Sequence, residues 1–213
     1  NVRLCGLHLH LGSPIYTTDP YRSGITKALA LREQLLKEGF TVDVLDIGGG
    51  FAADYQTGRS PSAAQYAEVI VPLLLPLVQA GVRIVLEPGR SIAANAGILL
   101  TRIAYMKRSG DKTFAICDAG MNALLRPSHY EAFHFMWPAH PKIGFVPTVR
   151  TEKPDMPGLV TMDVVGPLCE TGDFLALDRD LPPMERGDLL AIFTAGAYGM
   201  SMASRYNSSP LPA

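Results

Sequence analysis

Apolar and polar positions alternate from Val2 to Leu11, with Cys5, Leu7, Leu9 and Leu11 on one side and His8 and His10 on the other. That period of two predicts a half-buried strand, ended by Gly12-Ser13-Pro14. Asp19-Pro20 then supplies a helix N-cap followed by proline at the first helical position. The stripe Ile25, Ala28, Leu29, Leu35 and Leu36 predicts a helix to about Glu38, stopped by Gly39. Thr41 to Ile47 is the next strand, and it runs straight into Gly48-Gly49-Gly50-Phe51. Ser60-Pro61 opens a second helix whose interior Pro72 and Pro76 predict a kink or break before Gly81. Val82 to Leu86 is the third strand, ending at Glu87-Pro88-Gly89-Arg90.

Strands separated by helices, with connections long enough for a crossover, imply parallel pairing. The strand-to-strand interval is about 40 residues, somewhat above the roughly 30 per unit of a (β/α)8 barrel. From about Gly97 the texture changes to short alternating segments: Ile98 to Met106, Thr113 to Cys117, Gly144 to Val149, Leu159 to Val165, Phe174 to Leu177 and Leu189 to Phe193. These predict an antiparallel β domain, with Ala195 to Tyr206 as a closing helix. The fold class expected is therefore α/β plus all-β. Residues 1–96 are part of a (β/α)8 barrel, and residues 97–213 are an antiparallel β-sandwich or β-barrel domain.

Composition narrows the partners. In 213 residues, 47% are hydrophobic and the formal net charge is -1, without clustered basic residues. This excludes a nucleic-acid surface or a polybasic membrane surface and leaves small molecules or protein. Cys5, Cys117 and Cys169 show no paired spacing, and no signal core or membrane-length apolar run is present, so a cytoplasmic location is expected.

The candidate chemistry sits at the predicted strand ends: His8, His10 and Ser13; Asp46 and the glycines; Glu87 and Arg90. In a barrel that is the active face. Three consecutive glycines after a buried strand let backbone amides converge on a phosphate. Gly48, Gly50 and Ala53 also meet a dinucleotide spacing, but Gly58 and Pro61 oppose the helix that motif requires. His8 and His10 could be a zinc pair, although further ligands are missing and no metal is expected; a buried structural role for His8 is the alternative. Glu87-Pro88-Gly89-Arg90 could be a charged turn, Arg126-Pro127 with Tyr130 a solvated helix start, and Cys169 an inert small hydrophobe.

Taken together and in order, His8-Leu9-His10-Leu11-Gly12-Ser13, Asp46-Ile47-Gly48-Gly49-Gly50-Phe51, Glu87-Pro88-Gly89-Arg90, Asp118-Ala119-Gly120-Met121-Asn122, Arg126-Pro127, Cys169-Glu170-Thr171-Gly172-Asp173 and Gly196-Ala197-Tyr198-Gly199 resemble the diaminopimelate decarboxylase family. That family belongs to the pyridoxal-phosphate decarboxylases of the alanine-racemase-like fold. The resemblance implies pyridoxal 5'-phosphate as cofactor and decarboxylation of meso-2,6-diaminopimelate to L-lysine. It implies a catalytic set of Cys169, His10 and Glu87, with His10 stacked on the cofactor ring and Glu87 paired with its nitrogen. Ser13, Gly48, Gly49, Gly50 and Tyr198 would cradle the phosphate. Arg90, Arg126 and Tyr130 would grip the substrate's far carboxylate. Cys169 and Glu170 would reach the neighbouring subunit's site in a homodimer with shared active sites, the thiol reprotonating Cα and the carboxylate reading the distal ammonium. The family's cofactor lysine has no match among the lysines here, which places it upstream of Asn1; the chain is expected to be the middle and C-terminal part of a longer enzyme and to be inactive alone. The alternatives are a related basic amino-acid decarboxylase (ornithine, lysine or arginine), a non-catalytic binding protein of the same fold, and a zinc hydrolase.

Overall fold

The structure, a computed structural model, describes residues 2–213. They fall into two compact units, one formed by residues up to 53 together with 58–92, the other by 54–57 and 93–213. The junction thus lies at 92/93 where the sequence pattern set it at 96/97, and a short piece of the first half joins the second unit.

The first unit holds three parallel strands, β1 (Gly6–His8), β2 (Val44–Asp46) and β3 (Arg83–Val85), in the order β1-β2-β3. Helices α1 (Asp19–Lys37) and α2 (Ala63–Gln79) make the two crossovers. Parallel pairing was the expectation. The strands are shorter than the apolar runs that announce them: Val2 to Cys5 carry no strand. Both helices end alike. Phe40 N–H donates to Leu35 O at 3.0 Å and Val82 N–H to Leu77 O at 2.9 Å, across Gly39 (φ 88°) and Gly81 (φ 83°). Only a glycine adopts that left-handed bend cheaply, and it turns the chain into the following strand.

Pro72 and Pro76 do not break α2. Both lie on its exposed face, where the carbonyls deprived of a donor can bond water. Ser62 and Gln65 close a capping box at its start. On α1 the buried residues are Tyr21, Ile25 and Ala28, whereas Leu36 from the expected stripe is exposed.

Three aromatic rings tie this unit's core to its glycine turn. Tyr21 stacks on Phe51 with centroids 4.9 Å apart and meets Tyr66 edge-on at 5.5 Å. Tyr21 Oη donates to Gly49 O (2.9 Å), and Tyr66 Oη donates to Ile15 O (2.6 Å) while accepting from Ala52 N–H (3.2 Å). Burial, and then the neighbouring Tyr66, push the Tyr21 hydroxyl far above its ordinary value, so it remains a donor. Each of these rings contributes about 1.5–3 kcal/mol by burial, and the two tyrosine hydroxyls fix where the loop after β2 must sit.

The second unit is a six-stranded sheet: β4 (Leu99–Ser109), β5 (Lys112–Cys117), β6 (Met136–Pro138), β7 (Val160–Val165), β8 (Phe174–Leu181) and β9 (Leu189–Ile192), ordered β6-β9-β4-β5-β7-β8. β5 and β7 pair in parallel, so the sheet is mixed rather than wholly antiparallel. The long connection 118–159 permits that crossover, and alternation along a strand does not encode its direction. Gly144 to Val149 forms no strand, and Ile143, Val146 and Val149 are exposed. β6 went unread because Met136-Trp137-Pro138 is short, continuously apolar and contains proline; it is an edge strand, where proline is tolerated. The expected closing helix shrinks to α5 (Gly199–Met202), entered through Tyr198 in a left-handed conformation (φ 63°). Ile103, Leu124, Met136, Met162, Leu175, Leu181, Leu190 and Ile192 are fully buried in this unit. Among the described residues no helix is long and apolar enough to cross a membrane.

Candidate cofactor and substrate site

Register assembles the first half of the site. His8 pairs with Asp46 and Asp46 with Val85, so His8 and Asp46 stand side by side at adjacent strand ends, with Glu87 two residues past β3. His8 Nε2 lies 3.6 Å from Glu87 Oε1, both side chains half-exposed. With one oxygen of Asp46 they bring three potential ligand atoms within 4.8 Å of one another. His8 is therefore not the buried structural histidine weighed from the sequence, and that group takes in His8 with two acids rather than His8 with His10. His10, two residues on, is exposed.

The glycine turn is held against these strand ends. Gly48 N–H donates to Asp46 Oδ1 (2.9 Å), and Glu87 N–H donates to Gly48 O (3.0 Å). Gly48 (φ 72°) and Gly50 (φ 89°) are left-handed, and a Cβ on Gly49 would lie 2.5 Å from Glu87 O. Any larger residue would drive the strand ends apart. Gly48, Gly49, Gly50 and Glu87 are thus brought together, with His8 beside the acid.

Arg90 starts the short helix α3 (Gly89–Ala93) and is buried. Its Nε and Nη2 donate to Ser13 Oγ at 3.2 and 3.1 Å. The sequence assigned these residues to different ligands, Ser13 to phosphate and Arg90 to a substrate carboxylate; here they are partners. A hydroxyl that accepts from a guanidinium keeps its own proton to donate, which suits an anion. A glycine turn with no room for side chains, an oriented hydroxyl and a carboxylate fit a phosphorylated pyridine ring: Ser13 and the glycines would hold the phosphate and Glu87 the ring nitrogen.

Cys169, Glu170, Arg126, Tyr130 and Tyr198 belong to the second unit. Cys169 and Glu170 are exposed on the loop from β7 to β8. Asp173, buried behind them, accepts Met121 N–H (2.7 Å) and Leu168 N–H (2.6 Å). A Cβ on Gly120 or Gly166 would collide with that carboxylate, so the Asp118-to-Asn122 and Cys169-to-Asp173 motifs form one packed assembly. Asp173→Ala leaves two part-buried amides without this acceptor and should cost about 1–3 kcal/mol, read as a fall of several degrees in the melting temperature of the protein that carries this chain; an unchanged melting temperature would show that the loop holds itself. Gly172 N–H donates to Glu170 Oε1 (3.4 Å) and Tyr206 Oη to Glu170 Oε2 (3.3 Å); that bond raises the tyrosine's proton affinity.

Arg126 is not a solvated helix start. It opens α4 (Arg126–Tyr130), is buried, lies over the Tyr55 ring at 4.7 Å and meets His134 Nε2 at 2.7 Å. His134 Nδ1 faces Phe193 O at 2.9 Å. An imidazole that donates to a carbonyl and accepts from a guanidinium is neutral. Nothing in the spacing of His134 from Arg126 along the chain signals this contact. Tyr130 is exposed, with its ring edge-on to His129 at 4.5 Å. Burial pushes the Cys117 thiol up to about 12, which leaves that cysteine inert; Cys5 and Cys169 are exposed.

The parallel strand ends gather an imidazole, a glycine turn and an acid, and the chain continues into a mixed sheet. The chain belongs to the family described as pyridoxal-dependent decarboxylase, C-terminal sheet domain, whose model matches residues 15–196. It is 45% identical over 210 residues to diaminopimelate decarboxylase of Aquifex aeolicus, covering 99% of this chain and 46% of the relative. The crystal structure of diaminopimelate decarboxylase from Helicobacter pylori, complexed with L-lysine, superposes with a TM-score of 0.83 at 35% identity, over 98% of this chain and 48% of that one. Lysine/ornithine decarboxylase from Vibrio vulnificus, complexed with cadaverine, superposes as well (TM-score 0.84, 99% and 54% covered) at 25% identity. The chain spans about half the length of the curated relatives it matches.

Proposed function

We propose that the protein carrying this chain decarboxylates meso-2,6-diaminopimelate to L-lysine. Glu87 carries the reading: a carboxylate fixed beside the glycine turn at the end of a third parallel strand, in a family named for its pyridoxal cofactor. When bound, the cofactor supplies an electron sink for the pair left behind as CO2 departs. The chain's own residues do the rest. Glu87 holds a proton on the ring nitrogen, since a neighbouring anion favours the charged form. His10 covers the ring face. Ser13, Gly48, Gly49, Gly50 and Tyr198 bind the phosphate. Cys169 returns a proton to Cα, and Glu170 reads the distal ammonium. Arg90 and Arg126, both buried, and the exposed Tyr130 act on the distal carboxylate.

We further read the protein as a cytoplasmic homodimer in which Cys169 and Glu170 complete the partner's site. The exposed positions of both residues support this. The runner-up, a basic amino-acid decarboxylase, has the weaker sequence support: 25% identity against 35–45%. Incubating the parent protein and pyridoxal phosphate with meso-diaminopimelate should release CO2 and L-lysine. Turnover of ornithine instead, with none of diaminopimelate, would reassign the substrate.

A further inference from the structure

His8 has no role in the reading above, yet its Nε2 lies 3.6 Å from the carboxylate on which that reading turns. Glu87 lies beyond the end of β3 on a half-exposed side chain. Asp46, which would repel it, is on the adjacent strand end, and their oxygens fall within the same 4.8 Å cluster. His8 belongs to the same cluster, with its Nε2 3.6 Å from Glu87 Oε1. Asp46 is already tied down by Gly48 N–H. The backbone of Glu87 is held by its N–H to Gly48 O and by Gly89 N–H, which donates to its carbonyl.

We infer that His8 is a positioning residue for Glu87: its imidazole separates the Asp46 and Glu87 carboxylates and steers one Glu87 oxygen, leaving the other to face the ring nitrogen of the cofactor. The parallel register supports this, because His8 and Asp46 are Cα partners and the strand carrying Glu87 is the next one over. Two neighbouring carboxylates repel each other, and a Glu87 side chain pushed aside would no longer face the ring nitrogen. A donor in the same cluster removes that conflict without entering the reaction. Support from one side also narrows the angles that Glu87 samples, and a fraction of an ångström matters for a charge pair that works only when aligned. The inference rests on the cofactor role of Glu87 and is independent of which amino acid is the substrate.

The test uses the full-length holoenzyme reconstituted with pyridoxal phosphate labelled with 15N in the ring, and compares His8→Leu, which removes the donor, with His8→Gln, whose amide nitrogen reaches about as far as Nε2. The 15N shift of the ring nitrogen at neutral pH reports its protonation without any turnover. His8→Leu should move it toward the unprotonated value and lower kcat about tenfold, with KM within a factor of two. His8→Gln should restore both. In a Glu87→Gln background, His8→Leu should add no further loss. An unmoved 15N shift in His8→Leu overturns the proposal. So does a loss that is undiminished in the Glu87→Gln background, or a His8→Gln variant as impaired as His8→Leu. Stoichiometric zinc in the wild-type holoenzyme, absent from His8→Leu, would overturn it in favour of an ion bridging His8, Asp46 and Glu87. If wild type fails to release CO2 from meso-diaminopimelate, the substrate assignment falls while the 15N comparison still reads His8.

Discussion

Glu87→Gln in the parent protein should retain bound pyridoxal phosphate and lose nearly all turnover. The glycine turn, Ser13 and the remaining phosphate contacts are untouched by this change, so the cofactor should still bind. What is lost is the negative charge. A neutral amide cannot compensate a protonated ring nitrogen, and a ring without that proton is a poor acceptor for the electron pair left when CO2 departs. Removing one preorganised electrostatic partner commonly costs roughly 100- to 1,000-fold in kcat, about 3–4 kcal/mol of barrier. The substitution is nearly isosteric, and Glu87 is half-exposed, so stability should change little. The measurement is kcat alongside cofactor content by absorbance. Turnover within a factor of about three of wild type, at full cofactor occupancy, would remove Glu87 from the mechanism and with it the main support for the proposed activity.

Cys169→Ala should lower kcat by roughly 100-fold while cofactor content and the KM for meso-diaminopimelate stay near wild type, since a general acid commonly contributes 10²–10⁴-fold. The side chain is exposed on a loop that Asp173 holds from behind, so truncating the thiol leaves the loop in place. The consequence reaches further if the residue serves the neighbouring subunit. Cys169→Ala and Glu87→Gln then damage different components of a composite site. Equal mixing after subunit exchange should give heterodimers that each contain one doubly damaged and one intact site, restoring about a quarter of wild-type activity from two nearly dead parents. Arg126→Ala is the poorer partner for this experiment, because Arg126 is buried against Tyr55 and His134 and its loss would remove the guanidinium that meets His134 Nε2. A mixture no more active than the parents would show that each subunit is self-contained.

The alternation of His8 and His10 against Cys5, Leu7 and Leu9 was legible because a strand must present one face to a core, and Leu7 and Leu9 do pack against the first unit's core. Gly39 and Gly81 were equally legible as helix stops, because the turn that ends each helix needs a positive φ. Pro72 and Pro76 misled because a proline breaks a helix only when the carbonyl it deprives has no other donor, and exposure depends on what the helix packs against. The parallel β5–β7 pair and the edge strand β6 were hidden for a related reason: strand direction and pairing partner are properties of the assembled sheet.

For the candidate site, residue types and their order along the chain were enough to pick out a glycine turn and an acid after the third strand, whereas Cys169 and Glu170 stood out only through the family resemblance. Which side chains touch was decided only by tertiary structure. The contact between His8 and Glu87, the pairing of Arg90 with Ser13, the enclosure of Arg126 by Tyr55 and His134, and the grip of Asp173 on two loops all join residues remote in sequence or brought together by a turn. Local spacing sets what a segment can present to its surroundings, whereas strand register and burial determine what it meets there.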